Sequence, residues 1–465
     1  MIHIIYSIVT AIALSFSLWS PLGDFIATPK FWRDEAIPFE IARTFSELGK
    51  LDVVVAPGQV DGRPYLTHAT GFPLTIPLAG VFEVFGVGVR QARIFMIAWI
   101  LAAIWFLIFF LRTFWGEREA FAGALLISTF APFYANGRTF TGEIPGFLFL
   151  LVSLLLIYKR KNYFWGGFAL ALAAVTKPSV FLLVFPALFL EFLWAERKNF
   201  WRPLLRIAAG SLPMLLVWLY IILPNPFSLQ SLANMIDLYR HPFNEPSMLT
   251  HPWQAVKYLF THSTILYFGF LAALIAWAYR RGAFQDEKRR VVNFMFVYGV
   301  FSIVYFLRSP GWFRYLLISE LFALMLVLPS FEEIFEDAKR AAVFFIGVLV
   351  VVQSGNYFFF SNIPSGLQSI RTAEALNREL SSRAEDATVG IIYNSPVAAL
   401  IASNSKYQIA TIGGRETYGI HPLSLPEDKL PLYLVGYNGE YKETFGRFYE
   451  LYDDLEGGQK IYKKK

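Results

Sequence analysis

Acidic and basic side chains that could serve one reaction fall at the borders of long apolar runs in this chain. Asp34 and Glu35 stand together in Phe31-Trp32-Arg33-Asp34-Glu35-Ala36-Ile37-Pro38, and Glu143 follows Arg138 in Arg138-Thr139-Phe140-Thr141-Gly142-Glu143-Ile144-Pro145. Cations hold comparable positions: Arg93, Lys177 in Thr176-Lys177-Pro178, and Arg308 and Arg314 in Arg308-Ser309-Pro310-Gly311-Trp312-Phe313-Arg314-Tyr315, with His68 and His241 as further candidates. A carboxylate that takes a proton from a hydroxyl or amine, beside cations that receive a phosphate leaving group, makes a coherent chemistry. Each residue also has a plainer use. The acids suit helix N-termini, with Pro38 and Pro145 in the first turn. Interfacial Lys and Arg commonly extend toward headgroups. The ensemble on one membrane face is what singles out the reaction.

The elements that must position these residues follow from composition. Of 465 residues, 55% are hydrophobic and 18% aromatic, and only 16% are charged, against about 25% in soluble proteins. Mean hydropathy is +0.46. The chain is therefore an α-helical polytopic membrane protein that needs the lipid bilayer around it. Disorder, collagen and coiled coil are excluded. The net charge of +6 resides mostly in short loops, so it is a topology signal, and nucleic acid is not a partner. With Cys 0 there is no disulfide, no zinc-thiolate site and no thiol nucleophile.

Eleven apolar runs read as spans, at about 2–20, 94–111, 120–136, 144–158, 163–176, 178–194, 207–223, 262–279, 291–307, 315–330 and 341–359. With a cytoplasmic N-terminus, the inner loops carry 16 Lys and Arg and the short outer loops only Arg138, Lys177, Arg308 and Arg314, which fixes the orientation. The first run lacks a basic n-region and an A-x-A end, so it reads as an uncleaved anchor. Segments 21–90, 224–261 and everything beyond about 360 then lie outside. A transmembrane part, 1–360, with a catalytic first outer loop, 21–90, is followed by a soluble extracytoplasmic domain, 361–465, whose alternating helical and strand-like stretches suggest a small α/β sandwich with a partly parallel sheet. Within the first outer loop, Ile41, Phe45 and Leu48 imply an amphipathic helix on the bilayer surface, with Asp34 near its protein-facing side and Glu35 about 100° round.

The order of these features resembles the GT-C glycosyltransferases, in particular the protein O-mannosyltransferase and aminoarabinose-transferase branch. Similar elements are the acidic pair after the first span, Asp34-Glu35; a Pro-containing stretch, Gly71-Phe72-Pro73-Leu74, leading through Phe85-Gly86 to Arg93; Arg138 with Glu143; Thr176-Lys177; and Arg314-Tyr315-Leu316-Leu317 entering a late span. The resemblance covers about 1–330. Where the aminoarabinose branch has a Lys-Pro-Pro element, this chain has His68-Ala69-Thr70-Gly71-Phe72-Pro73, and Glu143 stands for the more usual Asp. The Trp-Trp-Asp signature of the oligosaccharyltransferase branch is missing.

The resemblance implies a GT-C-like fold in the cell membrane and an inverting transfer of a sugar from a polyprenyl-phosphate donor to a lipid, glycan or protein acceptor on the outer face. Asp34, Glu35 and Glu143 are then the catalytic candidates. Arg314, Lys177, Arg138, Arg93, His68 and His241 are the donor-phosphate candidates. No cofactor is required, although a divalent cation has room in this scheme. The alternative is a transporter or flippase for a lipid-linked or ionic substrate, but such carriers keep ionisable groups near the midplane, whereas here they gather at span ends. A receptor whose tail binds a partner is the third reading.

Overall fold

The computed structural model describes residues 2–18, 25–56, 59–66, 68–195, 200–240, 250–261, 264–335, 339–360, 363, 366–383, 389–392, 409–412, 428, 430–437, 448–455 and 459–465. It is predominantly helical. In chain order the helices are α1 (Ile2–Leu18), α2 (Arg33–Leu48), α3 (Phe72–Phe85), α4 (Val89–Phe114), α5 (Glu117–Ser128), α6 (Ala131–Gly137), α7 (Glu143–Leu154), α8 (Tyr163–Thr176), α9 (Pro178–Phe181), α10 (Val184–Ala195), α11 (Trp201–Ile222), α12 (Leu229–Arg240), α13 (Thr250–Thr261), α14 (Thr264–Arg281), α15 (Asp286–Arg308), α16 (Leu317–Ile334), α17 (Lys339–Gly355) and α18 (Leu367–Arg383). Over the described residues each of the eleven apolar runs is mainly helical, and the packed core of the bundle is built from their Leu, Ile, Phe and Ala side chains, among them Ile104, Leu151, Ala173 and Leu324.

Among the described residues, five helices are long and apolar enough to cross a membrane: α4, α9 with α10, α11, α15, and 340–360, or six if the bent pair α13 and α14 forms one span. Eleven crossings do not follow from length and hydropathy. At 1.5 Å per residue, the 12-residue α5 and α7 reach about 18 Å, well short of the roughly 30 Å hydrocarbon layer. A π-helical turn prolongs α7 to Lys159, and α6 follows α5 after two residues.

The tail forms a five-stranded sheet in the order β4-β3-β5-β7-β6, once the loop hairpin of β1 (Val54–Ala56) and β2 (Gln59–Val60) is counted first. Strand β3 (Val389–Ile392) lies parallel to β4 (Ile409–Ile412) and β5 (Tyr433–Tyr437), while β7 (Gln459–Lys464) runs antiparallel to β5 and to β6 (Tyr449–Leu455). The partly parallel sheet matches the expectation. Residues 393–408, between β3 and β4, lie outside the described residues.

The tail and the segment that carries α2 and α3 share one core. Ala373, Leu376 and Leu380 of α18, with Val389, Tyr433 and Ile461 of the sheet, pack with Phe31, Ala36 and Phe39 and with Leu74, Leu78 and Phe82 of α3. The Gly366 N–H donates to the Ala27 carbonyl at 2.6 Å. The tail and the Asp34 segment therefore sit at the same end of the bundle.

This packing corrects the reading of α2. On its other side, Ile37 and Ile41 pack against Val53 of the hairpin segment, so residues 36–44 are buried all round, including the Arg43–Glu40 pair. The helix is an internal strut and does not float on the bilayer. It also starts earlier than Pro38 suggested. The Trp32 carbonyl accepts the N–H groups of Glu35 and Ala36, both at 3.0 Å, so Asp34 and Glu35 lie inside the first turn and Pro38 in the second.

Candidate active site

Three backbone segments cross where the acids meet the cations. The Gly71 N–H donates to the Thr176 carbonyl at 3.1 Å, and the Thr70 hydroxyl to the Thr141 carbonyl at 3.0 Å. A Cβ at Gly71 would stand 2.0 Å from the Val175 oxygen, and one at Gly142 would stand 2.8 Å from the Thr176 oxygen. Gly142 also has φ +93°, a left-handed conformation that side chains resist. Glycine at these two positions is what lets the segments touch.

Their contact sets the geometry of Glu143 and Lys177. Glu143 is the first residue of α7, directly after Gly142. Lys177 fills the break between α8 and α9, its backbone outside the helical region that the following proline disfavours. The Lys177 ammonium lies 3.9 Å from a Glu143 carboxylate oxygen, and both side chains are buried. Neither Glu143 oxygen has a hydrogen-bond partner among the described residues. A fully buried carboxylate facing one distant ammonium is under-satisfied. Burial pulls the Lys177 ammonium below its usual range, and Glu143 opposes that pull.

Arg314 enters from the far end of the sequence. The Ser309 hydroxyl donates to the Phe306 carbonyl at 2.7 Å and accepts the Gly311 and Trp312 N–H groups at 3.3 Å, closing the turn after α15. A 3₁₀ turn over Phe313–Tyr315 then delivers the guanidinium, which lies over the Trp312 ring at 4.6 Å and the Tyr315 ring at 5.3 Å. Arg314 pairs directly with Asp34. Asp34 is 35% exposed, so this pair opens to solvent. Lys177 feels the charges of Glu143, Arg314 and Asp34, and Arg314 those of Asp34, Tyr315 and Glu143. The four side chains form one cluster of two carboxylates and two cations.

Beside the cluster lies a buried hub that reassigns three candidates. Glu35 receives both terminal nitrogens of Arg93, at 2.6 and 3.1 Å, and the Phe140 N–H at 3.1 Å. Arg93 also donates to the Pro29 carbonyl at 2.9 Å and to the Arg138 carbonyl. Burial raises the Glu35 carboxyl to about 7 against the pull of Arg93 and of the Phe140 N–H. Asp34, expected near the protein-facing side, is the accessible member of the acidic pair, and Glu35, expected about 100° round, is the buried one. The helix starts at Arg33, ahead of both acids, so neither caps it and both sit inside its first turn. Arg93 is consumed by this hub. Arg138 is fully buried, with its guanidinium 3.4 Å from the Ser17 carbonyl and from the Tyr357 hydroxyl, so it faces the α1 end and not the cluster.

His68 is also corrected as a cation. It is buried, its Nε2 meets the Leu51 carbonyl at 3.0 Å, and burial lowers it to about 4, so it is neutral at physiological pH. Arg308 is exposed at the end of α15. His241 lies outside the described residues. No group of three His, Asp or Glu among the described residues is arranged to hold a metal ion. Asp34 and Glu143 each face a cation. Tyr315, Gly71 and Gly142 were not candidates from sequence. The motif Thr141-Gly142-Glu143 was the available signal, because a glycine directly before a helix-opening acid marks a close backbone approach.

With this geometry established, likeness to known proteins is informative. Residues 73–225 match the family described as dolichyl-phosphate-mannose-protein mannosyltransferase. No curated protein matches by sequence. Among solved structures, ArnT from Cupriavidus metallidurans bound to undecaprenyl phosphate superposes with a TM-score of 0.65 at 12% identity, covering 99% of this chain and 97% of that one. The Archaeoglobus fulgidus oligosaccharyltransferase with a tethered acceptor peptide gives 0.61 at 12% identity, covering 99% and 74%. AglB from Archaeoglobus fulgidus, in complex with an inhibitory peptide and a dolichol-phosphate, gives 0.53 at 13% identity, covering 88% and 64%. The fold is that of the GT-C membrane glycosyltransferases. The fold, and the family match over residues 73–225, liken the chain to membrane glycosyltransferases.

Proposed function

We propose that this chain transfers a sugar from a polyprenyl-phosphate donor to a hydroxyl or amine acceptor on the outer face of the cell membrane, with inversion at the anomeric carbon. The observation that carries the reading is the cluster in which Asp34 pairs with Arg314 and Glu143 faces Lys177, at the end of the bundle shared with the tail. Support for the donor comes from the neighbours whose bound molecules are undecaprenyl phosphate and dolichol-phosphate. The excess of cations in the opposite loops supports the outer face.

Asp34 is the general base. The acceptor atom attacks the anomeric carbon, its proton passes to Asp34, the bond from the anomeric carbon to the phosphate oxygen breaks, and the electron pair leaves with the phosphate. Negative charge therefore grows on the leaving group, and Arg314 and Lys177 stabilise it more in the transition state than in the ground state. Burial of Lys177 strengthens that interaction, because charge interactions grow as water is excluded. Glu35 and Arg93 hold the Asp34 segment against the Phe140 segment.

The test is release of polyprenyl phosphate from a polyprenyl-phosphate sugar by the purified protein in liposomes. Release that requires the protein and falls in Arg314→Ala and Lys177→Ala supports the reading. Transport of the intact donor without bond cleavage would replace it with the flippase alternative.

A further inference from the structure

Arg314 is placed to serve two anions in turn. It pairs with Asp34, yet its Nε–H has no hydrogen-bond partner among the described residues although the side chain is only 15% exposed. A guanidinium offers five N–H donors in a planar fork suited to carboxylate and phosphate alike. Its guanidinium rests against the adjacent Trp312 and Tyr315 rings, so the fork is oriented before any ligand arrives. Without donor the cluster is neutral, Asp34 and Glu143 balanced by Lys177 and Arg314.

Charge balance then dictates what a donor does. A phosphodiester adds one negative charge to a cluster with no spare cation, and Lys177 already faces the otherwise unsatisfied Glu143. Arg314, at the more open end, is the cation that can be shared. In the transfer step the acceptor proton moves to Asp34 and removes its charge, while the electron pair of the breaking bond adds a charge to the phosphate. Negative charge has moved from one side of Arg314 to the other.

We propose that Arg314 is exchanged between Asp34 and the donor phosphate, so that donor binding is what frees Asp34 to act as base. A carboxylate held by a guanidinium is a weak proton acceptor, and one whose guanidinium has been drawn away is a stronger one. The unloaded enzyme thus keeps its base occupied, and water is not activated until a donor is seated. This inference rests on the proposed donor chemistry and gives it an order, with donor before acceptor.

The test is a double-mutant cycle on binding, without turnover. Farnesyl phosphate, a short polyprenyl phosphate, is titrated into the full-length protein in detergent at low salt and to millimolar concentration, so that a hundredfold loss is still read. Asp34→Asn removes the competing charge and should tighten binding about tenfold, which corresponds to about 1.4 kcal/mol. Asp34→Ser provides the same loss of charge if the Asn variant fails to fold. In an Arg314→Gln background the tightening should shrink below about twofold, because the shared cation is gone. Equal tightening in both backgrounds would mean that Asp34 only repels the phosphate, and no tightening would mean that it does not compete at all; either overturns the exchange and leaves the donor reading intact. Failure of the unsubstituted protein to bind farnesyl phosphate overturns the donor reading itself.

Discussion

Asp34 and Arg314, 280 positions apart in the chain, form a direct ion pair at the open end of the helical bundle. That pair joins the start of α2 to the entry of α16, and it brings the proposed base to a cation able to hold the proposed leaving phosphate. Everything else in the site serves to keep the two in register with Glu143 and Lys177.

The buried hub should behave as structure and not as chemistry. Glu35→Gln leaves the Arg93 guanidinium buried without its carboxylate, and breaking a buried pair on one side costs about 3–5 kcal/mol. Thermal unfolding in detergent should show that loss. The double variant Glu35→Gln with Arg93→Met should recover part of it, since removing both partners of a buried pair is often nearly neutral. A Glu35→Gln protein of unchanged stability would contradict the assignment.

Gly142 should matter through position alone. Gly142→Ala meets the Thr176 oxygen and a left-handed backbone together, so α7 must shift and carry Glu143 with it. Displacements of about 1 Å commonly cost around 10² in rate. Turnover should fall by that order. Gly49→Ala is the control: Gly49 also has positive φ but meets nothing within 4 Å, so about 1 kcal/mol of stability should go with rate per folded molecule unchanged.

The pH dependence of stability should carry the mark of His68. Its folded value, about 4, lies below the ordinary histidine value of 6.5. The depressed folded value means that its contribution is fully present above about 6.5 and is lost as pH falls through 4. The shift amounts to roughly 3 kcal/mol. His68→Gln should flatten the unfolding profile between those limits and leave farnesyl phosphate binding at neutral pH unaltered.

The two ends of the bundle should respond differently to loss of charge. Lys177→Ala strips the buried Glu143 of its one ion-pair partner among the described residues and should impair both phosphate binding and turnover. Arg289→Ala, at the opposite end beside Tyr279, should leave turnover as it was. Similar losses in both would remove Lys177 from the phosphate site.

Much of this arrangement was legible in the sequence, and the limits have physical causes. The eleven apolar runs are helices because a segment with no water-facing side has few alternatives to internal backbone hydrogen bonding. The acids at 34 and 143 and the cations at 177 and 314 were readable as residues charged at the borders of such runs. Which member of the Asp34-Glu35 pair faces the site was not. A helix that starts at Arg33, instead of being capped by one of the acids, sets both inside its first turn, and the start is set by the Trp32 carbonyl, a backbone contact. Nor could pattern reveal the burial of α2, which depends on a tail more than 300 residues away packing onto Phe31 and Phe39. Arg93 and Arg138 read as free cations because the Pro29, Arg138 and Ser17 carbonyls they bind are invisible to a motif.

The most direct measurement is turnover of Asp34→Asn beside its affinity for farnesyl phosphate. Asparagine keeps the size and one acceptor oxygen but cannot take a proton, and general-base catalysis is worth about 10² to 10⁴ in rate. Release of polyprenyl phosphate should therefore fall by that factor in a folded protein that binds farnesyl phosphate at least as tightly as before. Turnover equal to that of the unsubstituted protein would contradict the account and would leave Asp34 a structural partner of Arg314.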